Sequence, residues 1–261
     1  MPELAESTSG EGLRRLSRLL RTLELPALLA MPIVLALFLA SDIRATAALT
    51  LACVLFVLAL MFGSLELSRP ALRQVLPVVV CAAIAAAGRV IFAAFPDVKP
   101  VTAICIVAGA MLGRQSGFAV GALAAFASNF FFGQGAWTPW QMYAWGLIGY
   151  LSAILAEKGL LDSKVRVLAW GFSSAILFGL IMDGMHIVGY VRPFTWQTSA
   201  AALLASLPLD CLHGVATVAF LALIWDPWCR QLKRVLAKYA LGKGLEAPSS
   251  LLRQFHAATK P

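Results

Sequence analysis

Charge is what this sequence has least of. Of its 261 residues only 13% are Asp, Glu, Lys or Arg, and 60% are hydrophobic. Ordinary globular proteins carry roughly 25% charged residues. So few charges cannot cover a soluble globule of this length, and so much apolar surface excludes a disordered chain. The five cysteines (Cys53, Cys81, Cys105, Cys211 and Cys229) show neither CxxC nor metal-finger spacing. They read as small core residues, which sets aside a zinc site and a disulfide framework. There is no GxxxxGK[ST] loop to cradle ATP phosphates, no HExxH and no GxSxG. The net charge of +8 does not point to nucleic acid. That partner needs basic residues interleaved with stacking aromatics on one face, and here the basic residues fall between apolar runs. A polytopic membrane protein remains, with no catalytic signature and no metal or cofactor expected of it.

A spanning helix needs about 20 apolar residues. Such runs occupy 25–41, 45–62, 75–95, 101–113, 117–132, 139–156, 165–188 and 199–225. The sequence thus predicts eight segments, two of them short, with 101–132 divided by a tight turn at the Gly113–Gly117 break. The short first half either lines a binding site, as glycine-interrupted segments do in transporters, or sinks behind longer neighbours. Orientation follows from the basic residues. With the N-terminus inside, 17 of the 21 Lys and Arg fall on the cytoplasmic side, and only Arg44, Lys99 and Arg192 fall outside. Both termini are then cytoplasmic. The arginines of 14–21 followed by an apolar stretch also resemble a signal peptide, although the stretch is long for one. At the far end, Asp226 as N-cap and Pro227 as first helical residue predict a separate amphipathic helix at the membrane surface. Residues 1–24 read as a cytoplasmic tail, 25–64 as a helical hairpin, 65–225 as a six-helix core, and 226–261 as the amphipathic helix and tail.

Several polar residues stand out against this background. Asp183–His186 and Asp210–His213 are i,i+3 pairs, each on one helix face. Such pairs can bind a metal or relay a proton, and they can equally form Asp–His hydrogen bonds that join two helices. Arg89 lies inside an apolar helix, where an arginine costs about 2.5–3.5 kcal/mol at the bilayer centre. It is either paired or snorkels to the outer surface. The stretch Ser128–Met142, SNFFFGQGAWTPWQM, is the densest. Gly133 and Gly135 permit a chain reversal, and Thr138, Pro139 and Gln141 match a capping box. Its aromatics suit an interfacial belt or a wall for a planar ligand.

That stretch, continued as YAWGLIGYLSAIL, resembles the S components of energy-coupling factor (ECF) vitamin transporters. The segments KPVTAICIVAGAMLGRQSGFAVGALAAFASN and SLPLDCLHGVATVAFLAL extend the resemblance. The nearest subgroup is the one linked to cobalamin and related corrinoids. The resemblance covers roughly 75–225 and implies an all-α, six-helix S-component-like core, with 25–62 as two additional helices. It further implies that the chain captures a vitamin from outside. A separate transmembrane coupling subunit and two ATPase subunits would power import. The Ala82, Ala83, Ala86 and Ala87 face would meet that coupling subunit. Its overlapping small-xxx-small pairs suit close helix approach, as they suit ordinary internal packing, and Gly109, Gly113, Gly117 and Gly121 share the ambiguity. The expected substrate residues are Arg89, Lys99, Asn129, Gln134, Trp137, Trp140, Gln141, Asp183 and His186, gathered in the outer third of the membrane. There Arg89 is expected to pair with Asp183, directly or through His186. Two other classes stay open. One is a self-sufficient secondary transporter using Asp183 and Asp210. The other is a metal-dependent intramembrane enzyme using both Asp/His pairs.

Overall fold

The computed structural model describes residues 2–39, 46–68, 70 and 72–238. Long apolar runs form helices because a helix satisfies its own backbone where no water can. Among the described residues eight helices result: α1 (Pro2–Leu39), α2 (Thr46–Leu67), α3 (Leu72–Ile91), α4 (Val101–Leu112), α5 (Arg114–Phe132), α6 (Trp137–Glu157), α7 (Lys164–Tyr190) and α8 (Trp196–Lys238). Among the described residues there is no strand. Six of the eight (α1, α2, α3, α5, α7 and α8) are long and apolar enough to cross a membrane. The chain is an all-α, multi-pass helical bundle, as its apolar runs predict.

The helices alternate in direction. Arg114, at the start of α5, pairs with Glu157 at the end of α6, and Lys164 at the start of α7 lies 3.8 Å from Asp226 late in α8. These contacts mark one end of the bundle, here called the basic end. The opposite end carries the α3–α4, α5–α6 and α7–α8 connections.

At the centre, α4, α5 and α6 meet through glycine. Gly113, with φ of +90°, makes the one-residue turn that folds α4 back onto α5. A Cβ on Gly117 would sit 2.5 Å from the Gly109 Cα and 2.7 Å from the Gly149 carbonyl oxygen. Backbone therefore touches backbone, and the glycine stripe is internal packing. All twelve residues of α4 are buried, so this short helix sits behind its longer neighbours.

Two apolar clusters flank this centre. One joins residues of α3 through α8, and the other joins α1 and α2 to α5, α6 and α7. In the second, Leu28, Met31 and Leu35 of α1 and Val54, Val57 and Met61 of α2 pack on Tyr143, Leu147 and Ile181. The Tyr143 hydroxyl donates to the Leu28 carbonyl at 2.6 Å. The two N-terminal helices are thus a wall of the bundle.

From Pro2 the segment 1–24 is helical and continuous with the apolar stretch that follows, as part of α1. Two expectations need correction. No new helix begins at Asp226. Pro227 lies inside α8, and Trp225, Cys229, Leu232 and Leu236 are buried in the larger cluster with Leu161 and Val167. That apolar face packs on protein, while Tyr239 and the tail beyond it lie outside the described residues. Finally, the alanine face of α3 is split. Ala82 and Ala86 are buried with Ala85, whereas Ala83 and Ala87 face outward beside Leu76, Val80, Ile84 and Ile91.

Candidate functional site

The end opposite the basic one holds Arg89, in the last turn of α3. Its Nη1 donates to Ser128 Oγ at 2.7 Å and to Asn129 Oδ1 at 2.6 Å, both on α5, and its Nη2 reaches Gln141 Oε1 on α6 at 3.5 Å. Its guanidinium carbon lies 4.5 Å from the Phe132 ring centre and 5.0 Å from that of Trp145, a cation–π arrangement. Ser128 and Asn129 are fully buried. The Asn129 amide donates onward to Gln141 Oε1 at 2.8 Å and to Thr138 Oγ1 at 2.9 Å. The Thr138 hydroxyl donates to Gln134 Oε1 at 2.9 Å, and the Gln134 amide closes the chain on the Phe126 carbonyl.

Three helices are cross-linked in this way, yet every acceptor is neutral. A guanidinium has five N–H donors. The bonds to Ser128, Asn129 and Gln141 use three, and among the described residues the Nε–H and the second Nη2–H meet no acceptor. Among those residues no carboxylate pairs with Arg89 either. A positive charge with spare donors, flanked by rings, can hold an anionic oxygen.

The expected Arg89–Asp183 pair is not formed. Asp183 on α7 accepts from the Ser206 hydroxyl of α8. The Asp210 carboxyl rests against Gly179, where a side chain would collide with it. The Asp/His pairs do not act as pairs. His186 is exposed and stacks on Tyr190, with ring centres 5.6 Å apart. His213 is buried, with its Nε2 2.8 Å from Thr102 Oγ1. Among the described residues no three His, Cys, Asp or Glu side chains converge on a point that could hold a metal ion.

Lys99 is also diverted. Its ammonium donates to the carbonyls of Phe92, Ala93 and Phe95, capping the end of α3, where cations are favourable. Burial lowers its pKa, which Asp97 opposes and Arg89 reinforces. Trp137 closes the loop by donating to the Gly133 carbonyl at 3.3 Å. The capping box does not form. The residue before α6 is Ala136, and both Thr138 and Gln141 spend their side chains on Asn129. Trp140 packs on the α1–α2 side, away from Arg89. Of the nine expected residues the structure therefore brings together Arg89, Asn129, Gln134 and Gln141. Ser128, Thr138, Phe132 and Trp145 belong with them and were not foreseen as site residues. The signal was present, since Thr138, Gln141 and Trp145 share one helical face.

Residues 68–226, from the approach to α3 through most of α8, match one family model. The chain belongs to DUF6580, a family of unknown function. No curated protein and no solved structure matches it. The whole Arg89 network lies inside the DUF6580 segment, and α1 and α2 lie outside it.

Proposed function

We propose that this chain is the substrate-capturing S component of an ECF-type vitamin importer. The vitamin enters from the side that bears Arg89, and a separate coupling subunit with two ATPases drives import. The basic end then faces the cytoplasm, and both termini are expected on that side, in keeping with the 17-to-3 charge split. The observation that carries the reading is Arg89, a half-buried cation held by neutral acceptors with two N–H donors to spare. Such a site suits a substrate with a carboxylate or a phosphodiester, and corrinoids of the cobalamin type carry the latter. The outward stripe of α3 around Ala83 and Ala87 is the surface available to the coupling subunit.

The test is mass spectrometry of the small molecule that co-purifies with the detergent-solubilised protein, followed by titration of that molecule. Arg89→Ala should weaken binding roughly tenfold, or about 1.4 kcal/mol. Retention of parental affinity would refute the site. A second reading, a self-sufficient proton- or cation-coupled transporter, draws on Asp183, which accepts from Ser206 of α8, and on Asp210, whose carboxyl rests against Gly179 of α7. Robust uptake in cells lacking every coupling ATPase would favour it.

A further inference from the structure

The Trp145 ring that flanks Arg89 is itself held by other helices. Its indole N–H donates to Thr102 Oγ1 at 3.0 Å, and the same oxygen lies 2.8 Å from His213 Nε2. Phe178 stacks on Trp145, with ring centres 4.4 Å and planes 23° apart, and stands edge-on to His213 at 5.3 Å and 85°. The four residues close a ring of contacts, and each comes from a different helix: Thr102 from α4, Trp145 from α6, Phe178 from α7 and His213 from α8. Thr102 is fully buried, and Trp145 and His213 are nearly so. No side chain caps the start of α4, so the Thr102 hydroxyl is used across helices and not on its own.

The proton positions in this ring follow from which groups can donate. An indole N–H only donates, and a hydroxyl carries one proton. Thr102 Oγ1 therefore accepts from Trp145, and its own proton has one acceptor among the described residues, His213 Nε2. The reverse arrangement, with Nε2–H donating, would leave a buried hydroxyl proton unmatched, which is costly. His213 is then neutral, with its proton on Nδ1. The imidazole fixes the hydroxyl, the hydroxyl fixes the indole, and the indole fixes the face it offers to the guanidinium.

We propose that Thr102 and His213 are positioning residues of the Arg89 site, which hold the Trp145 ring at the angle that leaves the spare N–H donors of Arg89 ready for an anionic oxygen. Neither touches the ligand, and both act through Trp145. The inference rests on Arg89 being an anion site, and it gives the short buried helix α4 a part in recognition.

Diethyl phosphate, a phosphodiester monoanion, is the probe, with uncharged triethyl phosphate as the control. The full-length protein, isotope-labelled at its Trp and His ring nitrogens, is titrated in detergent micelles and followed by NMR. The Trp145 indole N–H is assigned by its loss in Trp145→Phe, and the His213 ring by its loss in His213→Gln. Diethyl phosphate alone should shift the Trp145 signal saturably, and Arg89→Ala should abolish the shift. Thr102→Val, which keeps the shape but removes the hydroxyl, should weaken probe affinity about fivefold, the worth of one cation–π contact. Thr102→Ser, which keeps the hydroxyl, should stay close to the parent. His213 Nε2 should give the signal of an unprotonated ring nitrogen. Parental affinity in Thr102→Val alongside a loss in Arg89→Ala overturns the positioning role and leaves the anion site standing. An equal loss in Thr102→Ser does the same, because volume and not the hydroxyl then matters. No saturable shift, or one that Arg89→Ala leaves intact, overturns the anion site and the role with it. A proton on His213 Nε2 also overturns the role, and that reading is made on the unsubstituted protein, so it decides even if Thr102→Val does not fold.

Discussion

The bundle holds a half-buried or buried charge near each end, and the two are handled in opposite ways. Toward the basic end, Glu24 of α1 is 3% exposed. It accepts from the Ser64 hydroxyl of α2, from the Gln115 amide of α5 at 2.5 Å, and from the Tyr150 hydroxyl of α6 at 3.1 Å. Gln115 also donates to Ser64 at 2.8 Å. Toward the other end, Arg89 ties α3 to α5 and α6. Neither charge has an ionic partner among the described residues, so each rests on oriented neutral dipoles. The carboxylate of Glu24 has its two oxygens engaged by three donors, and its network is closed. The guanidinium keeps donors in reserve, and its network is open. A closed network suits an anchor, whereas an open one leaves donors for a further acceptor. The anchor also joins helices outside the DUF6580 segment to helices within it.

The largest effect is expected at the anchor. Glu24→Ala strands the Ser64, Gln115 and Tyr150 donors and loosens α1 and α2 from the core. A cost of about 3 kcal/mol is expected, read as a fall in melting temperature of roughly 6–10 °C in detergent. Affinity at the Arg89 site should stay close to parental, and a larger loss of binding than of stability would break the contrast. Next comes Arg89→Lys, which keeps the charge but replaces the planar fork by a point charge. Affinity for the co-purified substrate should drop about fivefold with a smaller stability loss than at Glu24. Asn129→Asp sharpens the point, because it places a carboxylate on the guanidinium and closes the open network. Melting temperature should hold while substrate binding falls, as measured by calorimetry. The smallest effect concerns Asp97, in the α3–α4 connection. Burial raises its carboxyl pKa above the usual value, Lys99 opposes that, and Asp183 adds to it. With the folded pKa above the unfolded one, stability rises as pH falls toward about 4. Asp97→Asn should flatten that part of the melting-temperature profile.

Level along the bundle was legible in the sequence, and rotation about each helix was not. Apolar runs locate eight helices, and the Gly113 break is where the chain turns. Counting residues from a helix end puts Arg89, Asn129, Gln141 and Asp183 at similar depth. Depth alone does not say that Asp183 faces α8 and that Gln141 faces α3. Azimuth is decided by packing, here by where glycine lets backbones meet, and Gly179 shows this by admitting the Asp210 carboxyl. The caps misled for a related reason. Asp226–Pro227 and Thr138–Pro139 both have the composition of a helix start. In the first case tertiary burial of Trp225, Cys229 and Leu232 carries α8 straight through, and in the second the side chains found partners on α5.

Side chains can swap rotamers to absorb a small displacement, but main chain pressed on main chain has nothing to give. The junction of Gly109, Gly117 and Gly149 therefore welds α4, α5 and α6 into one stiff block. Flanking α1–α2 and α7–α8 meet that block through side chains, by apolar packing and by hydrogen bonds such as those of Glu24 and of Thr102 with His213. A small displacement is therefore absorbed more readily at side-chain contacts between helices than within the glycine junction.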